Sequence, residues 1–202
     1  MIEQRNVAIL LFDDVEVLDF AGPFEVFSVT GRRDALAPFN VYTVAEKPGP
    51  ISTRNGLSVN PHYTIQNCPA PDIVIVPGGF GTRREMHNMA IIEWLQTQNQ
   101  RTELMLSVCT GALLLGTAGL LDGLAATTHA GAFDVLRAAA PNTELHPEIR
   151  FVDNGRIITS AGISAGIDMS LHVVARLLGK DEARDTAQYM EYDWRDDGGV
   201  IL

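Results

Sequence analysis

Cysteine is scarce: Cys68 and Cys109 are the only two in 202 residues. That number cannot build a disulfide framework, so a reduced, cytoplasmic setting is expected. Positive charge is also short, with 15 basic residues against 25 acidic and a formal net charge of −10. A surface for nucleic acid or anionic membrane needs concentrated positive charge, so neither partner is expected. A secretory leader is missing too, because Met1-Ile2-Glu3-Gln4-Arg5 lacks the basic-then-apolar layout of one. One uncharged stretch, Leu104 to Leu121, is long enough to raise the transmembrane question. Ser107, Thr110, Thr117, Gly111, Gly116 and Gly119 interrupt it, and it reads as a buried strand turning into a buried helix. The histidines (His62, His87, His129, His146, His172) are scattered without metal-ligand spacing, which argues against zinc, and no motif calls for a cofactor. Repeats, linkers and low-complexity tracts are absent.

What is present is an ordinary globular composition, 46% hydrophobic. At about 150 residues per domain, the chain is expected to form one domain over 1–202. A domain of this size buries about 70% of its unfolded surface and needs neither disulfide nor metal to fold. Asn6 to Phe12, Ile73 to Val76 and Leu104 to Val108 are unbroken apolar runs of strand length. Phe39 to Ala45 alternates and is β-rich, and Ala125 to Thr128 forms a further short strand. Asn55-Gly56 and Asn154-Gly155 mark two hairpin turns. Between the strands lie helical patterns at Phe20–Val29, from an Asn88 cap to Gln100, at Ala112–Ala118, at Ala132–Ala140 and at Ser164–Leu178. In the last, Ile167, Leu171, Val174, Ala175 and Leu178 fall on one face. Apolar strands alternating with helices specify an α/β protein whose mostly parallel sheet has helices on both faces. Ligands in such folds bind beyond the carboxyl ends of the strands.

The most informative segment is Leu104-Met105-Leu106-Ser107-Val108-Cys109-Thr110-Gly111. An apolar strand ends at Cys109 and helix formers follow at once. Small residues at −2 and +2 are what a sharp strand-to-helix turn requires, so this is the cysteine counterpart of a nucleophile elbow. Backbone N–H groups at the following helix start are expected to favour a thiolate and bring the thiol below about 8.5. Cys68 has no such setting. Asp19 lies just beyond the first strand, where it either points into the same crevice as an acid or caps the next helix. A neighbouring thiolate and burial would keep it neutral as a hydrogen-bond donor. Glu25 reads as a solvated helix carboxylate. Pro77-Gly78-Gly79-Phe80-Gly81 lets backbone N–H groups approach a ligand, and no Gly-Lys-Ser/Thr follows to make it a phosphate loop. His129 is either a base for the thiol or a hydrogen-bonded structural histidine. No cationic cluster is evident among these motifs, so a small neutral substrate is expected.

Leu18-Asp19-Phe20-Ala21-Gly22-Pro23-Phe24-Glu25-Val26, Pro77-Gly78-Gly79, Ser107-Val108-Cys109-Thr110-Gly111, Ala126-Thr127-Thr128-His129 and Ser160-Ala161-Gly162-Ile163-Ser164-Ala165-Gly166-Ile167-Asp168 occur in that order. Together they resemble the ThiJ/PfpI superfamily, and within it the branch of isonitrile hydratases, from Val7 to about Tyr192. The resemblance implies a flavodoxin-like three-layer sandwich, related to the class I glutamine amidotransferases, that assembles as a homodimer. It implies Cys109 as nucleophile and Asp19 as the acid that hydrogen-bonds it, where many superfamily members carry Glu. Thr110 matches the threonine after the hydratase nucleophile, and the backbone N–H groups of Gly79 and Thr110 would steady developing charge. Gly78, His129, Ala130, Gly162 and Ile163 would line the pocket. Ala130 stands where the hydratases usually have Trp, which widens that pocket. The implied activity is cofactor-free hydration of an isonitrile to an N-substituted formamide. Two alternatives accompany it: glyoxalase-type carbonyl chemistry, disfavoured by Asp in place of Glu, and a ligand or redox sensor. The same domain opens AraC-type regulators, whose chains continue into a DNA-binding domain. This one stops at Leu202, so the sensor is expected to be free-standing.

Overall fold

A computed structural model describes residues 4–32, 36–194 and 198–202. Its elements are β1 (Arg5–Leu11), α1 (Val17–Val29), β2 (Phe39–Ala45), β3 (Ile51–Ser52), β4 (Ser58–Val59), β5 (Tyr63–Thr64) and β6 (Ile73–Val76). There follow α2 (Thr82–Glu85), α3 (Met89–Asn99), β7 (Leu104–Val108), α4 (Ala112–Thr117), β8 (Ala125–Ala126), α5 (Phe133–Ala139) and β9 (Glu144–Leu145). The chain closes with β10 (Phe151–Asp153), β11 (Ile157–Ser160), α6 (Ala165–Leu178), α7 (Lys180–Tyr189) and β12 (Gly199–Ile201).

The central sheet has the order β12-β10-β11-β7-β6-β1-β2-β5. From β11 to β5 the strands are mutually parallel, while β10 and β12 run against them. β6 and β7 are buried along their whole length, as is β1 from Val7 to Leu11. Helices cover both faces there, which is why these strands read as unbroken apolar runs rather than alternating ones. On one face α1, α6 and α7 pack together; α4 gathers α2, α3 and α5 on the other. This is the layered α/β architecture that the sequence calls for.

Local chemistry sets the boundaries. Asn88 caps α3, its side chain accepting the N–H of Ala90 at 3.2 Å. Gly179, at φ +102°, ends α6. Asn55-Gly56 turns the chain from β3 back to an antiparallel β4, with Gly56 at φ +83°. The uncharged stretch from Leu104 becomes β7, a turn at Cys109 and α4, nearly all of it buried. No helix among the described residues is long and apolar enough to cross a membrane.

Several elements depart from the sequence reading. Only Ala125 and Ala126 of the Ala125–Thr128 segment form a strand, and they pair with β9 outside the central sheet. The short elements β5, α2 and β9, the helix α7 and the edge strand β12 are additional. α7 presents only Ala183, Thr186 and Ala187 to the core, so it carries no large apolar side chain to announce it.

Candidate active site

β7 delivers its last residue, Val108, in extended conformation, and the next residue reverses the chain. Cys109 sits at φ +56°, a left-handed conformation that costs a non-glycine residue about 1–2 kcal/mol. The surrounding fold holds it there. Its N–H donates to the carbonyl of Ala161 at 3.1 Å, and its carbonyl accepts the Thr128 hydroxyl at 2.8 Å. Gly111 closes the turn against β6, where a Cβ would lie 2.0 Å from the Val76 carbonyl oxygen. Gly111→Ala is therefore expected to destabilise the protein by more than about 3 kcal/mol, because the colliding atom is backbone and cannot swing away. Gly119→Ala, at φ +74° in open space, should cost only about 1 kcal/mol of backbone strain. Urea unfolding of the two variants checks this, and equal losses would contradict the collision.

Asp19 is the third residue of α1 and fully buried. The helix-cap alternative is thereby set aside: Glu16 occupies the cap position, without a side-chain cap bond. Asp19 Oδ2 accepts the N–H of Gly78 at 3.0 Å. Oδ1 is buried without a hydrogen-bond partner among the described residues, and the Cys109 thiol lies near enough to the carboxyl to interact with it. Gly78 can slip between acid and turn only because it has no side chain. A Cβ there would lie 2.5 Å from the Thr110 nitrogen and 2.8 Å from Asp19 Oδ2.

Burial pushes the Asp19 carboxyl up from 3.8 to about 7, with the Cys109 and Gly78 hydrogen bonds pulling the other way and Glu16 adding a small push upward. The thiolate expected for Cys109 is not what this geometry favours. Burial pushes the thiol up to about 12 and the Asp19 charge adds to it, while the N–H groups of Thr110 and Ile163 pull down and are outweighed. A thiol only 5% exposed is too poorly hydrated for two N–H dipoles to compensate. The two groups titrate as a unit, losing one proton near pH 7 and sharing the other to high pH.

Residues 5–176 match the model of the DJ-1/PfpI family. The chain belongs to that family. It is 35% identical over 188 residues to the isonitrile hydratase of Pseudomonas putida, covering 93% of this chain and 78% of the relative. An HTH-type transcriptional regulator of Pseudomonas aeruginosa is 26% identical over 94% of this chain, which spans about half (51%) of the regulator's length. A crystal structure of a ThiJ/PfpI family protein from Pseudomonas syringae superposes with a TM-score of 0.85 at 30% identity, covering 96% of this chain and 77% of that one.

Within this DJ-1/PfpI chain the remaining motif residues divide into two groups. Thr110 and Gly79 are together, but only the Thr110 N–H is in the expected role. The Gly79 N–H already donates to Thr110 Oγ1 at 2.9 Å, so it does not face the sulfur. The Thr110 hydroxyl is turned toward Gly79 and the Thr82 hydroxyl, 3.1 Å away, rather than toward Asp19. The N–H groups that reach the thiol are those of Thr110 and Ile163. Ile163 takes φ +50°, an outlier for a β-branched residue, and its side chain is partly exposed.

His129 takes its structural role. Its Nδ1 accepts the N–H of Gly131 at 3.1 Å, capping the turn over Ala130–Ala132. Its ring lies where a Cβ on Gly162 would come within 2.6 Å of Cδ2. Among the described residues it makes no hydrogen bond with Cys109 or Asp19. Ala130 is exposed beside it. Glu25 is exposed on α1, and Cys68 is half-buried after β5.

Sequence reasoning passed over four residues. Thr82 supports Thr110, and Thr128 holds the Cys109 carbonyl; the hydroxyl side of the Thr-Thr-His motif could have pointed to the latter. Arg54 and Arg83 flank Phe80, with guanidinium carbons 5.0 and 5.8 Å from its ring centre. The expected lack of a cationic cluster near the motifs is thus corrected. These arginines are distant in sequence and meet only because the β3–β4 turn docks on the β1–α1 loop.

Proposed function

We propose that this protein hydrates isonitriles, R–NC, to N-substituted formamides, with Cys109 as nucleophile and Asp19 as proton carrier. The observation that carries this reading is the buried pair itself: a carboxyl with one unpartnered oxygen interacting with one thiol at a strained turn. The identity to an isonitrile hydratase along most of the chain supports it. An isonitrile suits such a pair because its terminal carbon must gain one proton and one nucleophile.

The reactive form is the pair with a single shared proton. The sulfur attacks the terminal carbon as that carbon takes the proton, giving the thioimidate R–N=CH–S–Cys109 and an Asp19 carboxylate. The carboxylate then removes a proton from water as its oxygen adds to carbon, and passes that proton to nitrogen. The intermediate R–NH–CH(OH)–S–Cys109 results. Collapse breaks the C–S bond, releases R–NH–CHO and returns the hydroxyl proton to the pair. The N–H groups of Thr110 and Ile163 are placed to steady the sulfur as it gains and loses charge. Asp, one methylene shorter than Glu, leaves room for a linear carbon between acid and sulfur. Ala130, exposed beside His129, adds no bulk at the site's entrance, so cyclohexyl and aryl isonitriles should be accepted at least as well as small ones.

The test is formamide formation across a panel of alkyl and aryl isonitriles, run beside methylglyoxal and a casein peptide. Formamide from the panel supports the reading. Consumption of methylglyoxal without any isonitrile turnover removes it. If nothing turns over but an isonitrile or formamide raises the melting temperature, a ligand sensor takes its place.

A further inference from the structure

Arg54 and Arg83 come from separate elements, the turn between β3 and β4 and the helix α2, yet both meet Phe80. Phe80 directly follows Gly79 and is 60% exposed. Among the described residues neither guanidinium has a carboxylate within ion-pair distance, as is also true of Arg32, Arg101 and Arg156 but not of Arg5, Arg84, Arg137, Arg150, Arg176 and Arg184. What sets Arg54 and Arg83 apart from the other unpaired arginines is that both lie on one exposed ring, in a chain where acidic residues outnumber basic ones 25 to 15.

Both are tied to the loop that serves the thiol. The Arg54 N–H donates to the Val15 carbonyl at 2.9 Å, and Val15 bridges to Gly79. Arg83 Nη1 lies 3.4 Å from the Gly79 carbonyl oxygen and 3.3 Å from Thr82 Oγ1, and Thr82 contacts Thr110. Both guanidiniums lie on the same exposed ring, so an anion seated at its edge would meet positive charge from two separate elements. The planar fork of Arg matches a carboxylate, and the exposed ring gives its carbon skeleton an apolar floor.

We propose that Arg54, Phe80 and Arg83 form a carboxylate-binding subsite beside Cys109, and that the preferred substrates are isonitriles bearing a carboxylate a short distance from the nitrogen. This rests on the hydratase reading for the reaction, but not for the binding.

The first arm of the test is therefore independent of turnover. N-formylglycine and N-formyl-β-alanine, with neutral N-methylformamide as control, are titrated into the wild-type protein and into Arg54→Gln, Arg83→Gln and the double variant. The formyl acids should bind at least ten times more tightly than the neutral amide, and the double variant should lose most of that difference. The second arm measures kcat/KM for an isocyano carboxylate and for its methyl ester. The acid-to-ester ratio should fall at least tenfold in the double variant. Equal handling of acid and ester by the wild type would overturn the proposal. So would variants that change oligomeric state while keeping the acid preference, because the arginines would then serve a second copy. Selective binding of formyl acids without turnover of any isonitrile would keep the subsite and remove the hydratase reading.

Discussion

Cys109→Ala is expected to lower isonitrile turnover by at least roughly a thousandfold while the protein stays folded. Turnover in the proposed scheme passes through a bond to sulfur, and no other thiol is near: Cys68 is half-buried in another part of the fold. The fold survives because what holds residue 109 in place is backbone. Its N–H bond to Ala161 and the Thr128 hydroxyl on its carbonyl do not involve the side chain. Losing one buried sulfur leaves a small void costing on the order of 1–2 kcal/mol. Cys109→Gly should be at least as stable as Cys109→Ala, because glycine accepts φ +56° without strain. Cys68→Ala should leave kcat/KM within about twofold of wild type. Formamide production and thermal melts on the same preparations check all three. Activity in Cys109→Ala comparable with wild type would remove the nucleophile.

How much of this was legible in the sequence depends on what each feature needs. Phe39–Ala45, Ile73–Val76 and Leu104–Val108 were readable to the residue. Two of them are covered on both faces and show as pure apolar runs cut short by Pro-Gly-Gly or by the Cys-Thr-Gly turn. α7 was not, because Lys180-Asp181-Glu182-Ala183-Arg184-Asp185 looks like solvated chain until α1 and α6 are in place to receive its alanines. β12 takes its partners from β10, nearly fifty residues back, which no local pattern announces. At the site, Cys109 could be found because a sharp turn imposes small neighbours, whereas Asp19, eight residues past β1 and inside α1, was singled out from a helix cap only by the family resemblance. Of the donors to the sulfur, the Thr110 N–H was expected and the Ile163 N–H was not. The Gly79 N–H is spent on a side chain 31 positions away, and the Ile163 N–H is aimed by a backbone angle that isoleucine seldom adopts.

Asp19→Asn is expected to trade activity for stability, with the exchange set by pH. Asp19 titrates near 7 in the folded protein and at 3.8 when unperturbed, so between these values the folded state binds the extra proton. Its contribution is therefore fully present below about pH 4 and is lost as pH rises through 7. By pH 8 the ionised, buried carboxylate costs the folded state on the order of 4 kcal/mol relative to acid conditions. Asparagine fits the same space, its oxygen still accepting the Gly78 N–H and its nitrogen able to donate to the thiol. The variant should match wild type near pH 4, exceed it by about 2–4 kcal/mol at pH 8, and lose the wild-type decline between. Turnover should fall by about 10²–10⁴, because the amide cannot carry the proton to carbon or take one from water. The wild-type kcat/KM should rise through pH 7 as the pair reaches its single-proton form, and that limb should vanish in Asp19→Asn. Alkylation of Cys109 adds a readout of the sulfur. Without the carboxylate charge its midpoint should move down, while burial keeps it above the free-thiol value of about 8.5. A wild-type stability that stays flat from pH 4 to 8 would mean that Asp19 ionises as an ordinary carboxylate. An Asn variant that keeps both the rising limb and the turnover would show that the proton travels by another group.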